Sequence, residues 1–411
     1  MADTVAMRRS DRPTEWPDGN LDVGALRESG WQPSPFRQFL FKVHSRCNLS
    51  CDYCYVYEMA DQSWRSRPVT MSAEVVARAS MRIADHVTRH NLDEVRIILH
   101  GGEPLMAGRE FFVNFATTVR NAIPSDCTVE LGMQTNAVLL DESFLDVLLK
   151  QRIRVGVSLD GDRDANDRHR SYANGRGSYD SVMAALRKLS GPPYDRLYTG
   201  LLCTVDLKND PVATYEALLE FAPPSMDFLP PHGNWSSLPP GRSIDPAATP
   251  YADWLIQIFD RWYAAPSRET GIRFFEEIIN LVLGGRSHLE SIGLTPVTLV
   301  VIEADGVLEQ VDSLKAAYQG APATGLNVFD NSFDDALELP AIAARQIGVN
   351  GLCETCQRCE VRDICGGGLY PHRYRDGTGF LNPSVYCPDL LRLIRHIRDR
   401  VRQDLAGLVR A

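Results

Sequence analysis

The chain has no run approaching the roughly 18 consecutive apolar residues that a helix needs to cross a bilayer. Its opening stretch, Met1 to Asn20, lacks an apolar core and carries Arg8, Arg9 and Arg12, so no secretory signal is expected. Positive charge is in deficit: 43 Lys and Arg stand against 53 Asp and Glu, a net charge of −10. That balance argues against nucleic acid as a partner, because binders of nucleic acid present a basic face. Together these absences give the expectation of a cytoplasmic protein with neither membrane nor nucleic acid among its partners. Cysteine is missing altogether between Cys203 and Cys353.

What is present is the composition of a globular enzyme, 44% apolar and 23% charged over 411 residues, with room for more than one domain. Thiols stay reduced in the cytoplasm, so ten cysteines call for an explanation other than disulfides. Three crowd into positions 47–54 and five fall between 353 and 387, at gaps typical of metal ligands. Cys127 and Cys203 stand alone in apolar runs and read as small core residues.

Residues 1–35 are rich in Pro, Asp and Arg and read as a flexible arm. From Phe36 onward short apolar strands alternate with amphipathic helices. The strands are expected at Phe36–Val43, Glu94–His100, Cys127–Gln134, Ile153–Leu159, Leu197–Val205 and Met226–Leu229. Helices between them include Ser72–His90, Arg109–Ile123 and Asp141–Gln151. This rhythm predicts an α/β fold with a parallel sheet, and six units predict an open, partial barrel. A proline-rich stretch near 223–250 marks a boundary, two helices follow, and Thr298–Asp312 reads as a hairpin with an acidic turn. The expected domains are the barrel over 36–235, a loop and helical bridge over 236–297, and a cysteine-bearing domain over 298–411.

Cys47-Asn-Leu-Ser-Cys51-Asp-Tyr53-Cys54 follows the first strand. It offers three thiolates where a closed zinc or iron–sulfur site takes four, which leaves one metal position open for a small molecule. A zinc knuckle borrowing a distant fourth ligand is the structural alternative. Later strands end in Gly101-Gly102-Glu103-Pro104, Gln134-Thr135-Asn136 and Ser158-Leu159-Asp160-Gly161, with Arg170 twelve residues after Ser158. Taken singly, Asn136, Ser158 and Arg170 could each be turn or surface residues. On successive parallel strands they converge on one mouth.

The order and spacing of these motifs resemble the radical S-adenosylmethionine (SAM) superfamily. The resemblance implies a (β/α)6 partial barrel and a [4Fe–4S] cluster on Cys47, Cys51 and Cys54. It also implies SAM held by Tyr53, Gly101, Gly102, Glu103, Gln134, Asn136, Ser158 and Arg170, with the Glu103 carboxylate complementing the SAM amino group. Near the other end, Cys356-x₂-Cys359-x₅-Cys365 with Cys387 resembles the SPASM auxiliary-cluster domain. Against that pattern Leu369 replaces the fourth cysteine of the run, Val311 stands at the second upstream position, and with no cysteine between 203 and 353 the upstream pair is missing. The resemblance therefore implies that one auxiliary cluster is lost and a second is retained on Cys356, Cys359, Cys365 and Cys387. Cys353 is left as a spare thiol or an alternative ligand, and a zinc ribbon is the structural alternative for the module.

Asp312, next to the lost cysteine, aligns with the general base of some SPASM relatives; otherwise it caps the turn that follows. Gly366–Tyr374 and Asn382–Cys387 resemble FxsB-type maturases of ribosomally made peptides. That likeness implies a cyclophane bond between an aromatic ring and a β-carbon of a precursor peptide, with a low-potential flavodoxin or ferredoxin as electron donor. Thioether formation, epimerisation and formylglycine synthesis would use the same parts. A non-catalytic iron–sulfur or zinc regulator would have no use for the strand-end residues.

Overall fold

A computed structural model describes residues 15–245 and 247–410. Among them, ten strands form one sheet: β1 (Gln38–His44), β2 (Glu94–Gly101), β3 (Thr128–Thr135), β4 (Ile153–Ser158), β5 (Tyr198–Thr204), β6 (Ser225–Leu229), β7 (Gly271–Ile272), β8 (Leu299–Ile302), β9 (Val307–Glu309) and β10 (Ala323–Asn327). Their spatial order is β10-β9-β8-β1-β2-β3-β4-β5-β6-β7. From β8 to β7 every pairing is parallel, and only the β8–β9–β10 meander is antiparallel.

Helices make the crossovers: α1 (Val23–Glu28) precedes β1, α2 (Ala73–His90) leads to β2, α3 (Arg109–Ala122) to β3 and α4 (Glu142–Lys150) to β4. Next come α5 (Arg163–His169) and α6 (Tyr179–Leu189), then α7 (Pro211–Leu219), α8 (Pro250–Tyr263) and α9 (Arg273–Val282). Beyond the sheet lie α10 (Phe333–Leu337), α11 (Pro340–Ala343), α12 (Glu354–Gln357), α13 (Arg362–Cys365) and the long α14 (Cys387–Arg410).

Local sequence accounts for these elements. The Ser72 hydroxyl caps α2 by accepting from the Val75 amide, and Asn91 ends the helix in the left-handed conformation. Val75, Val76, Ala79, Ile83 and Val87 place one apolar stripe against the sheet, so Ile83→Ala would cost about 2–5 kcal/mol. The buried apolar residues alternate along the strands, Phe39, Phe41 and Val43 on β1, Ile97 and Leu99 on β2, and Val155 and Val157 on β4, so one face of the sheet is packed against the core. Cys127 and Cys203 are buried core residues, as expected.

The hairpin expected at Thr298–Asp312 is β8–β9, with Val301 opposite Glu309. It does not stand apart from the barrel: β8 pairs in parallel with β1, from Gln38–Leu299 to Phe41–Ile302. The expected arm over 1–35 falls, for residues 1–14, outside the described residues. From residue 15 the chain is tied down, with Trp16 bridging to Gly379 and the Ser34 amide donating to Gln346 Oε1 at 2.9 Å.

Candidate active site

Parallel strands deliver their carboxyl ends to one mouth, and a cavity of about 230 Å³ lies there. Cys47, Cys51, Cys54, Tyr53, Gly101, Gly102, Gln134, Asn136, Ser158 and Arg170 all line it. The cysteine loop is fixed by backbone bonds, from the Cys54 amide to Cys51 O at 3.1 Å and from the Ser50 amide to Ser171 O at 2.8 Å. Burial pushes the Cys47 thiol up to about 12 and Cys51 up to about 11. Three such thiols give up their protons to a cation that replaces them, which is the chemistry of a metal site. No further cysteine lines this cavity, so a cluster bound here keeps one open iron.

The two glycines are required by close approach. A Cβ on Gly101 would sit 2.3 Å from His44 O, and one on Gly102 would sit 1.9 Å from the Tyr57 hydroxyl. The backbone is thus pressed against the start of the cysteine loop, bonded from Gly102 N to His44 O at 2.9 Å. Glu103 is fully buried and does not line the cavity. Its oxygens accept from Thr135 Oγ1 (2.6 Å), Asn136 N (2.8 Å) and Leu105 N (3.0 Å). These bonds tie the carboxylate to the end of β3.

Gln134 Nε2 donates to Ser158 Oγ at 2.9 Å, joining the ends of β3 and β4. Asn136 Nδ2 donates to Asn48 Oδ1 at 2.8 Å and lies 3.6 Å from Cys47 Sγ. Arg170 is almost wholly buried, and its Nη1 donates to the Tyr53 hydroxyl at 2.9 Å. Tyr53 in turn donates to Asp160, whose other oxygen accepts from Thr204 N at 2.8 Å. Arg170 Nε is buried and has no partner among the described residues. A buried guanidinium with an unmet donor beside the cavity suits the carboxylate of a bound ligand. Together with the three-thiol loop and the glycine cradle, it makes the residues present fit a [4Fe–4S] cluster and SAM.

Asp312 lies beside this cavity. Its Oδ2 accepts from Lys42 Nζ at 2.6 Å and from the Tyr55 hydroxyl at 2.7 Å, and His100 Nδ1 is 3.9 Å away. Burial opposes ionisation, yet the Lys42 ammonium and the Tyr55 hydrogen bond hold the Asp312 carboxyl well below the usual range. Tyr55, His100 and His232 line the cavity; sequence reasoning missed all three, together with Lys42. A lysine and a histidine inside the apolar strands β1 and β2 were the available signal. Burial pushes His100 and His232 down to about 4, so both imidazoles are neutral.

A second cavity, of about 270 Å³, is lined by Cys356, Cys359, Cys365 and Cys387 with Val361, Leu390 and Leu391. Cys353 does not line it and instead shares a hydrogen bond with Cys356, which holds Cys353 below its ordinary value. The turn after Cys365 runs through three left-handed glycines, Gly366, Gly367 and Gly368. The buried Arg373 donates to all three carbonyls at 2.6–3.1 Å. Val311, where a cysteine is missing, packs with Leu314, Tyr370, Tyr374 and Phe380 in a small apolar core. The Tyr370 and Phe380 rings stack at 4.5 Å.

Residues 41–202 match the Radical SAM superfamily. The serine-type anaerobic sulfatase-maturating enzyme of Klebsiella aerogenes is 24% identical over 411 aligned positions, covering 94% of each chain. The cysteine-type enzyme of Clostridium perfringens (strain 13 / Type A) is 25% identical, over 86% of this chain and 94% of its own. An uncharacterized protein of Archaeoglobus fulgidus is 26% identical over 83% of this chain and 76% of its own. In three dimensions, anSMEcpe with bound AdoMet superposes with a TM-score of 0.75 at 22% identity, over 89% of this chain and 98% of that one. Streptococcus suis SuiB bound to the precursor peptide SuiA gives 0.58 at 14% identity, over 89% and 78%. Barrel, three-cysteine loop and family match together define an iron–sulfur enzyme of the α/β partial-barrel class. More narrowly, it is an enzyme whose residues 41–202 match the Radical SAM superfamily and which is similar over most of its length to the anaerobic sulfatase-maturating enzymes, and SAM and two [4Fe–4S] clusters are its cofactors.

Proposed function

We propose that this enzyme modifies a peptide by removing hydrogen from a side-chain β-carbon, and that the resulting radical is joined to a nearby aromatic ring to give a cyclophane. Cys47, Cys51 and Cys54 hold the SAM-binding cluster, and Cys356, Cys359, Cys365 and Cys387 hold the auxiliary one. Bound SAM and its cluster supply a 5′-deoxyadenosyl radical. The chain does the rest. Arg170 Nε receives the SAM carboxylate, Gly101 and Gly102 let the ligand reach the backbone, and Gln134, Asn136 and Ser158 border the ribose. Tyr53 keeps Arg170 in place through the Asp160 chain. Apolar walls at Leu202, Leu229 and Pro230 exclude water from the reacting carbon.

Asp312 takes the proton released when the ring regains aromaticity. It is held ionised, the state a base needs, and a substrate that loosens the Lys42 pair raises its basicity. An auxiliary cluster held by Cys356, Cys359, Cys365 and Cys387 would accept the electron released in that step, and a low-potential flavodoxin- or ferredoxin-type donor would supply the electron that SAM cleavage consumes.

The observation that supports this reading is the apolar core at Val311, Tyr370, Tyr374 and Phe380, where the resemblance would put a ligand of a second auxiliary cluster. A second reading, formylglycine synthesis on a serine or cysteine, rests on the two sulfatase-maturating relatives that match most of this chain. Co-expression with a short peptide encoded beside the enzyme, followed by tandem mass spectrometry, tests both. A crosslink removes two hydrogens, suppresses fragmentation between the joined residues and does not react with hydrazide. Formylglycine is an aldehyde and reacts with it. A product of unchanged mass, with label in 5′-deoxyadenosine drawn from an α-carbon, would point to epimerisation and overturn both readings.

A further inference from the structure

Helix α2 runs back from the mouth of the barrel, so its last turns lie toward the amino ends of the strands, away from the cysteine loops. His86 and His90 stand there one helical turn apart, on the face that meets α10. Asp334, in the first turn of α10, reaches between them. Its Oδ1 lies 2.6 Å from His90 Nε2 and 3.3 Å from His86 Nδ1. One ligand atom from each residue falls within 4.8 Å of the others.

We propose that His86, His90 and Asp334 form a binding site for a zinc-class divalent ion, which braces α2 to the segment carrying α10. Around a tetrahedral ion with bonds of about 2.0–2.1 Å, ligand atoms stand about 3.3 Å apart. The His86–Asp334 separation already has that value. His90 has to withdraw by less than an ångström, and it is half-exposed, so it has room to do so.

His86 supplies the second, independent observation. It is 2% exposed, packed against Phe36, Phe39 and Phe333, and its ring nitrogens have only loose polar contacts, with Asp334 Oδ1 at 3.3 Å from Nδ1 and with the Phe36 backbone. A buried imidazole left in that state carries a cost that an ion at Nδ1 removes. The far oxygen of Asp334 is held by Arg89 Nη1 at 3.2 Å, the outer support that a ligating carboxylate usually has. Two imidazoles and one carboxylate suit zinc and its transition-metal neighbours, whereas magnesium and calcium take oxygen donors. The fourth position belongs to water, since His90 and Asp334 both reach solvent.

A brace here has something to hold. Arg82 Nε donates to Val328 O at 3.0 Å and Arg78 Nη2 to Phe329 O at 2.8 Å, so the same helix already clasps the stretch leading into α10.

The test uses the reconstituted holoenzyme with one equivalent of zinc sulfate, followed by gel filtration. The expected result is about one zinc per chain, a nitrogen/oxygen shell without sulfur in zinc X-ray absorption, and a raised melting temperature. His90→Ala and Asp334→Asn should each lose the zinc and the added stability while keeping their iron and SAM cleavage. His86 is left intact because truncating so buried a ring opens a cavity. Zinc that fails to bind, that is sulfur-ligated, or that persists in either variant would overturn the proposal and leave an ordinary ion-pair cluster.

Discussion

Lys42 Nζ and Asp312 Oδ2 meet 2.6 Å apart, joining the middle of β1 to the turn after β9, with side chains 3% and 12% exposed. Removing one partner of such a pair strands the other charge in a low-dielectric site. Lys42→Met should therefore lower stability by about 3–5 kcal/mol. The double variant Lys42→Met/Asp312→Asn should recover part of that loss in urea unfolding. Equal stability of the single and double variants would show that the charges are not coupled.

Asp312→Asn alone separates the roles of the two ends of the pocket. SAM cleavage without peptide should stay close to the parent rate, because the residues bordering the SAM position are untouched. Product formation should slow, by about 10²–10⁴-fold if Asp312 is the sole base. Parallel loss of both activities would place Asp312 in the scaffold.

Histidine burial sets a pH limit. Burial pushes His100 and His232 down to about 4, against an ordinary value of about 6.5. Between those values the unfolded chain binds protons that the folded chain refuses. Stability contributed by these rings is thus complete above about pH 6.5 and falls as pH drops toward 4. Asp312 is also shifted down but from a lower ordinary value, and as a carboxylate its contribution is lost only as pH falls below the ordinary carboxylate range near pH 4. Urea midpoints should decline between pH 7 and 5, and less steeply in His100→Gln. An unchanged slope in that variant would count against the assignment.

Metal content tests the two cysteine cavities. Anaerobic reconstitution should give about eight iron and eight sulfide per chain. The triple replacement of Cys47, Cys51 and Cys54 by Ala should halve this and abolish SAM cleavage. About twelve iron would contradict the loss of one auxiliary cluster.

Cys353 and Cys387 should behave differently, since only Cys387 lines the auxiliary cavity. Cys353→Ala should retain its iron, whereas Cys387→Ala should lose the auxiliary cluster or hold it weakly. Matching iron loss in the two variants would make Cys353 a ligand.

Much of the site was legible because its signals are local. The Cys47–Cys54 spacing lies within one loop, and Gly101-Gly102, Gln134 and Ser158 each end a strand that apolar periodicity reveals. Once the sheet is parallel, those ends share a mouth. Glu103 shows what local reading leaves out: its sequence context suggests a ligand contact, and Thr135 and the Asn136 amide, a strand away, also bond its oxygens. The partnership of Lys42 with Asp312 spans 270 positions and no spacing encodes it. For the same reason the hairpin was readable but its attachment to β1 was not, because a strand carries no local label for its neighbour. Residues 15–35 look like an arm by composition, yet the contacts of Trp16 and Ser34 with distant partners hold them down.

The parallel seam between β8 and β1 has a mechanical consequence. The cysteine loop leaves the end of β1, and Asp312 follows the hairpin that begins with β8, so backbone hydrogen bonds set the spacing between that loop and Asp312. The loop and Asp312 sit on one ruler, joined by the parallel pairing of β1 with β8. A peptide that needs a longer or shorter reach cannot be accommodated by swinging one part of the molecule away from the other. It has to be met by exchanging the side chains that face the cavity, which leaves Leu229, Pro230 and His232 as positions where a change of substrate can be written without moving the machinery.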